Sequence, residues 1–382
     1  MAKKTTKTTR KTATKGTTKK AAAEKSSRRK SVSAKKSVGK IDMERLVELD
    51  LMRTTEAAAL NACRWLGKGD AKAAHAAAVD ALRGMLDVTS VSATVIFGDG
   101  LKPQEGGIEM GEKVGNWLND SLEMRIAMVP IDGIDLVALG LWGAMSVLVA
   151  ASQHNKANSN PLMPIPCRYM EKIAYGPRVH QGPGQVNLNA SVRDNLEIIA
   201  MKLGKRVQDL NIAVLDRPRH RKLINDIRKA NASVRLFSDG DIATCLAPND
   251  PATGIDVYMG IGGAAEAVMA AAAIRCLGGD MIARVAPTDD KEKKQIVKIL
   301  SADVLDKQFH AIDLAPGDNV IFCATGISDT SILPGVHVDG AKATTSSVVM
   351  RARYRTVRRI TAVHDLSTKT IRLRSADAEA SL

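Results

Sequence analysis

The amino-acid sequence predicts an α/β fold in which helices cover β-sheets. From about residue 41, segments with the pattern of strands alternate with segments with the pattern of helices, and no internal repeat of solenoid length is visible. The 382 residues are enough for two packed domains, and 45% of them are hydrophobic. Aromatic residues make up only 3%, so we expect a core of aliphatic side chains and methionine.

The first half of the α/β region opens with two predicted helices. Asp70 follows a Gly-Lys-Gly turn and is a good N-cap for the second, Ala-rich helix. Strands follow, and a Pro-rich connection then marks a change of structural layer. The predicted elements are helices 43–66 and 70–86, strands 91–97, 124–129 and 145–150, and the connection 158–166.

The second half continues the alternation of strands and helices. Short apolar runs rich in β-branched residues predict the strands, and longer segments predict the helices. The predicted strands are 211–215, 234–237, 256–259 and 319–323, and the predicted helices are 219–231 and 264–276.

The first 40 residues differ from the rest in charge and complexity. They contain 15 Lys or Arg residues and one acid, Glu24, whereas the remaining residues carry 40 basic and 40 acidic side chains. With almost nothing apolar to bury, this segment is predicted to be a disordered Lys-rich tail. Three interpretations stay open: binding of nucleic acid or another polyanion, a solvated charge run, and a targeting segment.

Neither a membrane segment nor a disulfide framework is expected. The longest apolar run, 141–151, is too short to span a bilayer. The five cysteines lie far apart without a Cys-x-x-Cys pair, which favours reduced thiols in a cytoplasmic protein. They are Cys63, Cys167, Cys245, Cys276 and Cys323.

Segment 129–135 (VPIDGID) is the most informative loop. A predicted strand runs into a Pro and a Gly, and this turn would present the carboxylates of Asp132 and Asp135 at the end of the strand. Converging carboxylates at such a place are typical of sites for Mg²⁺ or Mn²⁺.

Nine motifs in order resemble bacterial class II fructose-1,6-bisphosphatases over about residues 43–363. They are TEAAAL at 55–60, WLGKGD at 65–70, GEKVG at 111–115, PIDG at 130–133, YMEK at 169–172, PRH at 218–220, DGD at 239–241, GIGG at 260–263 and ATGI at 324–327. The resemblance implies a lithium-sensitive type of sugar phosphatase with a layered α/β/α/β/α sandwich. It also implies Mg or Mn as cofactor, a sugar phosphate as ligand and a homo-oligomer of two or four chains.

The resemblance also implies the binding residues. Those that stand where the family contacts the sugar and its second phosphate are Tyr169, Arg217, Arg219, Asp239, Asp241 and Gly263. Arg217 and Arg219 flank Pro218 after a strand, which suits a bidentate phosphate clamp; the alternative for both is a surface ion pair.

On the metal side, several positions depart from the family. The implied ligands are Asp132, Glu266, Asp99 where the family has Glu, and His75 where it has Asp. Val129 replaces the Asp that bridges two cations, and Ile134 replaces the Thr that orients the attacking water. A pair of cations without the bridging carboxylate repel each other with less compensation, so we expect one cation at most to bind in the familiar way. Asp135 is the one acid nearby that could compensate.

A competing motif lies at 260–265 (GIGGAA), which fits the G-x-G-x-x-A pattern of dinucleotide-binding folds, with Asp280 about twenty residues beyond its start. The helix start that follows would bind phosphate in either fold. The pattern is common by chance, and the family resemblance accounts for the same glycines.

Two hypotheses about function remain. In the first, the protein removes the 1-phosphate of fructose 1,6-bisphosphate or a related sugar bisphosphate. In the second, it is a catalytically degenerate homologue, a binding or scaffold protein that holds a sugar phosphate while its tail engages nucleic acid or another polyanion. In both, residues 41–185 are predicted to carry the metal loops, residues 186–375 to bind the sugar phosphate, and residues 376–382 to be disordered.

Overall fold

The computed structural model describes residues 40–98, 106–119, 121–152, 160–181, 184–375 and 379–381, with side chains within 47–375. The chain divides into two units, Met1–Asp42 and Met43–Leu382. The predicted tail and Asp99 lie outside the described residues, and the description that follows concerns the second unit.

The elements alternate as the sequence predicts. The helices, in chain order, are α1 (Lys40–Cys63), α2 (Ala71–Asp87), α3 (Ile134–Leu139), α4 (Pro177–His180), α5 (Val192–Leu203), α6 (Arg221–Lys229), α7 (Asp241–Leu246), α8 (Ala264–Leu277), α9 (Asp290–Ile299) and α10 (Ala311–Leu314). The strands are β1 (Val91–Phe97), β2 (Lys113–Val114), β3 (Leu122–Asp132), β4 (Met145–Ser152), β5 (Tyr169–Tyr175), β6 (Asn211–Leu215), β7 (Ser233–Phe237), β8 (Val257–Gly263), β9 (Asp280–Val285), β10 (Phe309–His310), β11 (Val320–Gly326), β12 (His337–Asp339), β13 (Lys342–Arg351), β14 (Thr356–Asp365), β15 (Thr370–Arg372) and β16 (Glu379–Ser381).

The strands form two mixed sheets and a separate pair. The larger sheet has the order β12-β13-β11-β4-β3-β1-β2, with β14 paired to β13. The smaller sheet has the order β10-β9-β5-β8-β6-β7. In the larger sheet β1 and β3 run parallel, as do β6 with β7 and with β8 in the smaller sheet. The larger sheet contains β1–β4 from before position 185 and β11–β14 from after it, and the smaller sheet contains β5 from before it. Each sheet therefore includes strands from both predicted domains, and the division of the chain at position 185 stays a prediction.

Three apolar cores separate the layers. On β3, Met124 and Ile126 face the core shared with α1 and α2, whereas Ala127 faces the core on the other side of the sheet. That second core contains α8 and one face of the smaller sheet. The third lies between the opposite face of the smaller sheet and helices α5 and α6. The layers therefore alternate helix, sheet, helix, sheet, helix, which confirms the predicted α/β sandwich.

Helix α8 is the central layer and is buried along almost its whole length. It is predominantly alanine, and its apolar residues are not confined to one face. A helix that is apolar all round is one that is enclosed, and here sheets cover it on both sides. Its first turn carries Glu266 and its last turn carries Arg275, so it joins two distant regions of the protein.

Most predicted elements are present. Strands 91–97 and 211–215 have the predicted bounds, and the Asp70 side chain accepts a hydrogen bond from the Ala73 amide at the start of α2. No element was predicted for β5, because Glu171 and Lys172 interrupt its apolar pattern. The segment predicted to end the chain without structure contains β16, which pairs with β15. None of the described helices is long and apolar enough to cross a bilayer.

Candidate active site

Asp132 ends strand β3 and is almost completely buried. Its Oδ2 accepts a hydrogen bond from the Ile242 amide at 3.0 Å, which ties β3 to α7. Gly133 follows with φ of 92° and begins the turn into α3, a left-handed conformation that glycine adopts without strain. The Pro-Gly turn therefore presents a carboxylate at the end of the strand, as predicted from segment 129–135.

Four carboxylates converge around this point. Burial raises the pKa of Asp132 well above its ordinary value, and the charges of Asp239, Asp241 and Glu266 raise it further. Burial likewise raises the pKa of Glu266, with Asp241 as the largest charged contributor. The pKa of Asp239 is raised by burial, although Arg217 opposes the rise. These side chains come from three separate segments of the chain, the end of β3, residues 239–241 and the start of α8, so the fold brings the three segments together.

A buried lysine offsets part of this negative charge. The Lys172 ammonium on β5 is fully buried and forms an ion pair with Asp241. Burial is the largest single influence and would lower the pKa of Lys172, but the charge and hydrogen bond of Asp241, together with Cys245 and Glu266, raise the pKa overall. The Tyr258 hydroxyl donates to the other oxygen of Asp241 at 2.8 Å. Lys172 belongs to the YMEK motif but was given no function from the sequence, where the only signal is a lysine followed directly by apolar residues.

The predicted sugar-phosphate residues form two contact groups. The Arg219 guanidinium lies 4.9 Å from the ring centroid of Tyr169 and donates from Nη2 to the Ile261 carbonyl at 2.7 Å. Arg217 pairs with Asp239 at 3.3 Å and also contacts the Ser238 carbonyl. Both arginines lie at the Pro218–His220 turn after β6. Each retains further N–H donors for an anion.

A cavity of about 160 Å³ lies beside Glu266. It is lined in part by Tyr169, Gly263, Glu266 and Gly98, the residue that precedes Asp99. The carboxylate of Glu266 lies against the Cα of Gly263, so any larger residue there would overlap it. Three of the predicted site residues therefore share one cavity at the end of strand β1.

The chain is similar in sequence to known proteins over most of its length. The family model described as bacterial fructose-1,6-bisphosphatase, glpX-encoded, matches residues 45–364. The chain belongs to the class II fructose-1,6-bisphosphatase family. A class 2 fructose-1,6-bisphosphatase of Haemophilus influenzae (strain ATCC 51907 / DSM 11121 / KW20 / Rd) is 39% identical over 335 residues, which cover 85% of this chain and 97% of that relative. Fructose-1,6-bisphosphatase 1 class 2 of Escherichia coli (strain K12) is 35% identical over 339 residues, with 86% and 97% covered. The family predicted from the ordered motifs is confirmed.

Within this class II fructose-1,6-bisphosphatase fold, the predicted metal ligands do not all meet. His75 lies on α2 and lines a separate cavity with Asp80, Arg83 and Arg374, to which neither Asp132 nor Glu266 contributes. Among the residues that the structure describes, no group of three or more His, Cys, Asp or Glu side chains is arranged to hold a metal ion. A ligand contribution from Asp99 remains a prediction, because that residue lies outside the described part of the chain.

The two aliphatic replacements are packed as core residues. Val129 is 9% exposed and belongs to the apolar core between the sheets. Ile134 starts α3 and packs against the core of α1 and α2. Asp135 is exposed in the first turn of α3, and its charge helps to raise the pKa of Asp239. The place where the resemblance implies a bridging carboxylate therefore holds a buried aliphatic side chain.

His220, which sequence reasoning gave no role, holds the Pro218–His220 turn in place. It is buried; its Nδ1 donates to the Leu215 carbonyl at 2.6 Å, and its Nε2 accepts from the Ile261 amide at 2.8 Å. Both bonds require the neutral imidazole, because a protonated Nε2 cannot accept. Burial lowers the pKa of His220, and the neighbouring Arg219 adds to the lowering.

His220 therefore gives the fold a pH dependence. Its folded-state pKa is below the unfolded value of about 6.5, so its contribution is complete above that pH and is lost as pH falls. We expect the free energy of unfolding to fall by up to about 1.4 kcal/mol per pH unit below pH 6.5, the limit for one proton, and His220→Gln to remove this component. Urea unfolding at pH 7.5 and 5.5 measures it. Burial also lowers the pKa of His364, but this residue is present in the unaltered protein and in His220→Gln, so its contribution cancels in the comparison. If the free energy of unfolding changes equally with pH in the two proteins, the pH dependence does not come from His220.

Proposed function

We propose that this protein binds fructose 1,6-bisphosphate, or a related sugar bisphosphate, and that its metal-dependent hydrolysis of the 1-phosphate is largely lost. The observation that carries the proposal is the buried position of Val129 at the end of β3, where the family's bridging carboxylate is expected. The residues expected to contact the sugar phosphate are still polar or charged. Two of the positions expected to serve the metal ions, 129 and 134, hold aliphatic side chains.

Binding is supported by the geometry of Tyr169, Arg217 and Arg219. Guanidinium groups bind phosphate through paired N–H donors, and an aromatic face beside one of them supplies a surface for the sugar. The turn that carries both arginines is fixed by His220 from beneath. Because the clamp is held before a ligand arrives, little ordering is needed on binding.

The residues present do not fit a centre with two cations. Asp241 is engaged by Lys172 and Tyr258, and one oxygen of Asp132 accepts from the backbone. Glu266 and the second oxygen of Asp132 are left as ligands for a single Mn or Mg ion. The family is metal-dependent, and a bound cation would supply charge neutralisation at the phosphate. Hydrolysis would need two cations joined by a bridging carboxylate, which would stabilise the attacking oxygen and the leaving oxygen together. A single cation does not replace them.

The second candidate is the hydrolase activity itself. It is favoured by the raised pKa values of Asp132, Asp239 and Glu266. Several buried carboxylates close together destabilise the folded protein when they are ionised, and a bound cation would remove this destabilisation. We also propose a cytoplasmic homo-oligomer of two or four chains, which the family resemblance supports, and polyanion binding through residues 1–40, which their charge supports.

The test measures binding and turnover separately. By calorimetry, we expect Arg219→Ala to weaken binding of fructose 1,6-bisphosphate at least ~10-fold, the value of one charge-assisted contact. Arg206→Ala, which removes an exposed arginine paired with Asp209, is the matched control and leaves binding unchanged.

Turnover is measured as phosphate release with Mn or Mg, and the release by the unaltered protein should not exceed that by Glu266→Gln. Release far above this variant would establish the hydrolase instead, and equal binding by both arginine variants would refute the clamp.

A further inference from the structure

A second cavity, of about 630 Å³, lies at the far end of α8 from Glu266. It is formed where the last turn of α8 and the end of β5 meet α4, β10 and the turn between β13 and β14. Its charged and titratable lining groups are His180, Lys202, Arg275, His310, Arg355, Asp280 and the hydroxyl of Tyr175. None of these is among the residues of the candidate active site.

The carboxylate in this lining is already surrounded by donors. One oxygen of Asp280 accepts from the amides of Met281 at 2.8 Å and Ala311 at 3.0 Å. The other accepts from His310 Nδ1 at 2.8 Å, with His180 Nδ1 at 3.5 Å. Tyr175 also bonds to it, and burial together with Asp280 raises the pKa of that hydroxyl. The negative charge is thus enclosed by the wall of the cavity and does not oppose an anion at its centre.

The cationic side chains of the cavity differ in the hydrogen bonds that they form. Arg275 is bound to the carbonyls of Ala315 and Gly317, which fixes its position at the end of α8. Lys202 donates to the Val179 carbonyl at 2.8 Å, which places its ammonium group at the wall of the cavity. The Arg355 guanidinium is exposed and forms no hydrogen bond or ion pair with another described residue. Its backbone has φ of 48°, so the hairpin holds this arginine at the cavity in a conformation that is rare outside glycine.

We propose that this cavity is a binding site for a small phosphate-bearing anion, with Arg355 as the principal contact and Lys202 and Arg275 as supporting charges. Three cations surround a space large enough for a small organic phosphate, and the sole carboxylate among the described lining residues already accepts hydrogen bonds from its own donors. Guanidinium groups suit a phosphate because their N–H donors match its oxygens. The site stands independently of the proposed function.

The test uses inorganic pyrophosphate as the probe and the full chain carrying Arg217→Ala and Arg219→Ala, so that the candidate active site does not contribute. Calorimetry at constant ionic strength should still show binding by this protein. Adding Arg355→Ala should weaken it at least ~10-fold, as expected for loss of a charged hydrogen-bonding group. The matched control is Arg353→Ala, which removes the same charge from the same turn but whose side chain stacks on Tyr354 and does not line the cavity. It should change the affinity less than ~3-fold.

Several outcomes would overturn the proposal. Absence of pyrophosphate binding in the Arg217→Ala, Arg219→Ala protein would place all binding at the candidate active site. Equal weakening by Arg353→Ala and Arg355→Ala would show a general attraction of the basic surface. A change of oligomeric state in Arg355→Ala, measured by sedimentation, would identify the cavity as a contact between copies of this chain. Thermal unfolding of each variant verifies that the fold is retained.

Discussion

Replacing Val129 by Asp and Ile134 by Thr together is expected to raise Mn-dependent phosphate release from fructose 1,6-bisphosphate by at least ~100-fold, since a cation or a positioned polar group stabilises a transition state by several kcal/mol. The first change supplies a carboxylate at the end of β3, beside Asp132. The second supplies a hydroxyl at the start of α3. Both positions lie on elements that the fold already holds in place. The initial rate with and without Mn measures the effect.

A matched control separates charge from shape. Val129→Asn with Ile134→Thr has nearly the same volume as the Asp variant but lacks the anionic ligand, so its rate of phosphate release should stay at that of the unaltered protein.

The Asp variant should also unfold at a lower temperature without Mn, because an unpaired buried carboxylate destabilises the folded state. Its unfolding temperature should recover with Mn, because a bound cation stabilises the folded state. If the double variant folds, binds the sugar bisphosphate and shows no gain, other positions such as His75 explain the loss.

Lys172→Met is expected to lower the free energy of unfolding by about 3–5 kcal/mol, the cost of removing one member of a buried ion pair. The methionine keeps the length and apolar stem of the side chain but leaves Asp241 without its cation. Asp241 would then lie unpaired near Asp132 and Glu266, whose charges already oppose one another. Urea unfolding at pH 8, where free carboxyl groups are ionised, measures the difference.

The control is Lys222→Met on α6, which also removes a lysine from an ion pair, with Asp226. Its side chain is 90% exposed, so the expected change is within about 0.5 kcal/mol. A loss of stability in Lys172→Met no larger than in this control would show that Asp241 is neutralised by protonation or by Tyr258. A double variant with Asp241→Asn should recover part of the loss, since the uncompensated charge is then absent.

The elements near the site were predictable to different degrees. Strand β1 and the Asp70 cap of α2 followed from local patterns that depend on neighbouring residues alone. Strand β5 did not, because Lys172 looks like a solvated residue until its partner, 69 positions away, is placed beside it. The hairpin β13–β14 was missed for a similar reason: its polar and basic residues become a strand pair only when β13 joins β11.

The sequence alone determined the family and the alternation of strands and helices, because both are recorded in ordered local motifs and in apolar periodicity. It also indicated that Val129 and Ile134 are chemically unable to act as ligand and hydroxyl donor. Only the tertiary structure decided that Asp132 and Glu266 come close to residues 239–241, that Lys172 pairs with Asp241, that His75 lines a separate cavity, and that Arg355 lines a cavity at the far end of α8. Charge interactions and cavities depend on distance in space, and the packing of two sheets on α8 sets those distances.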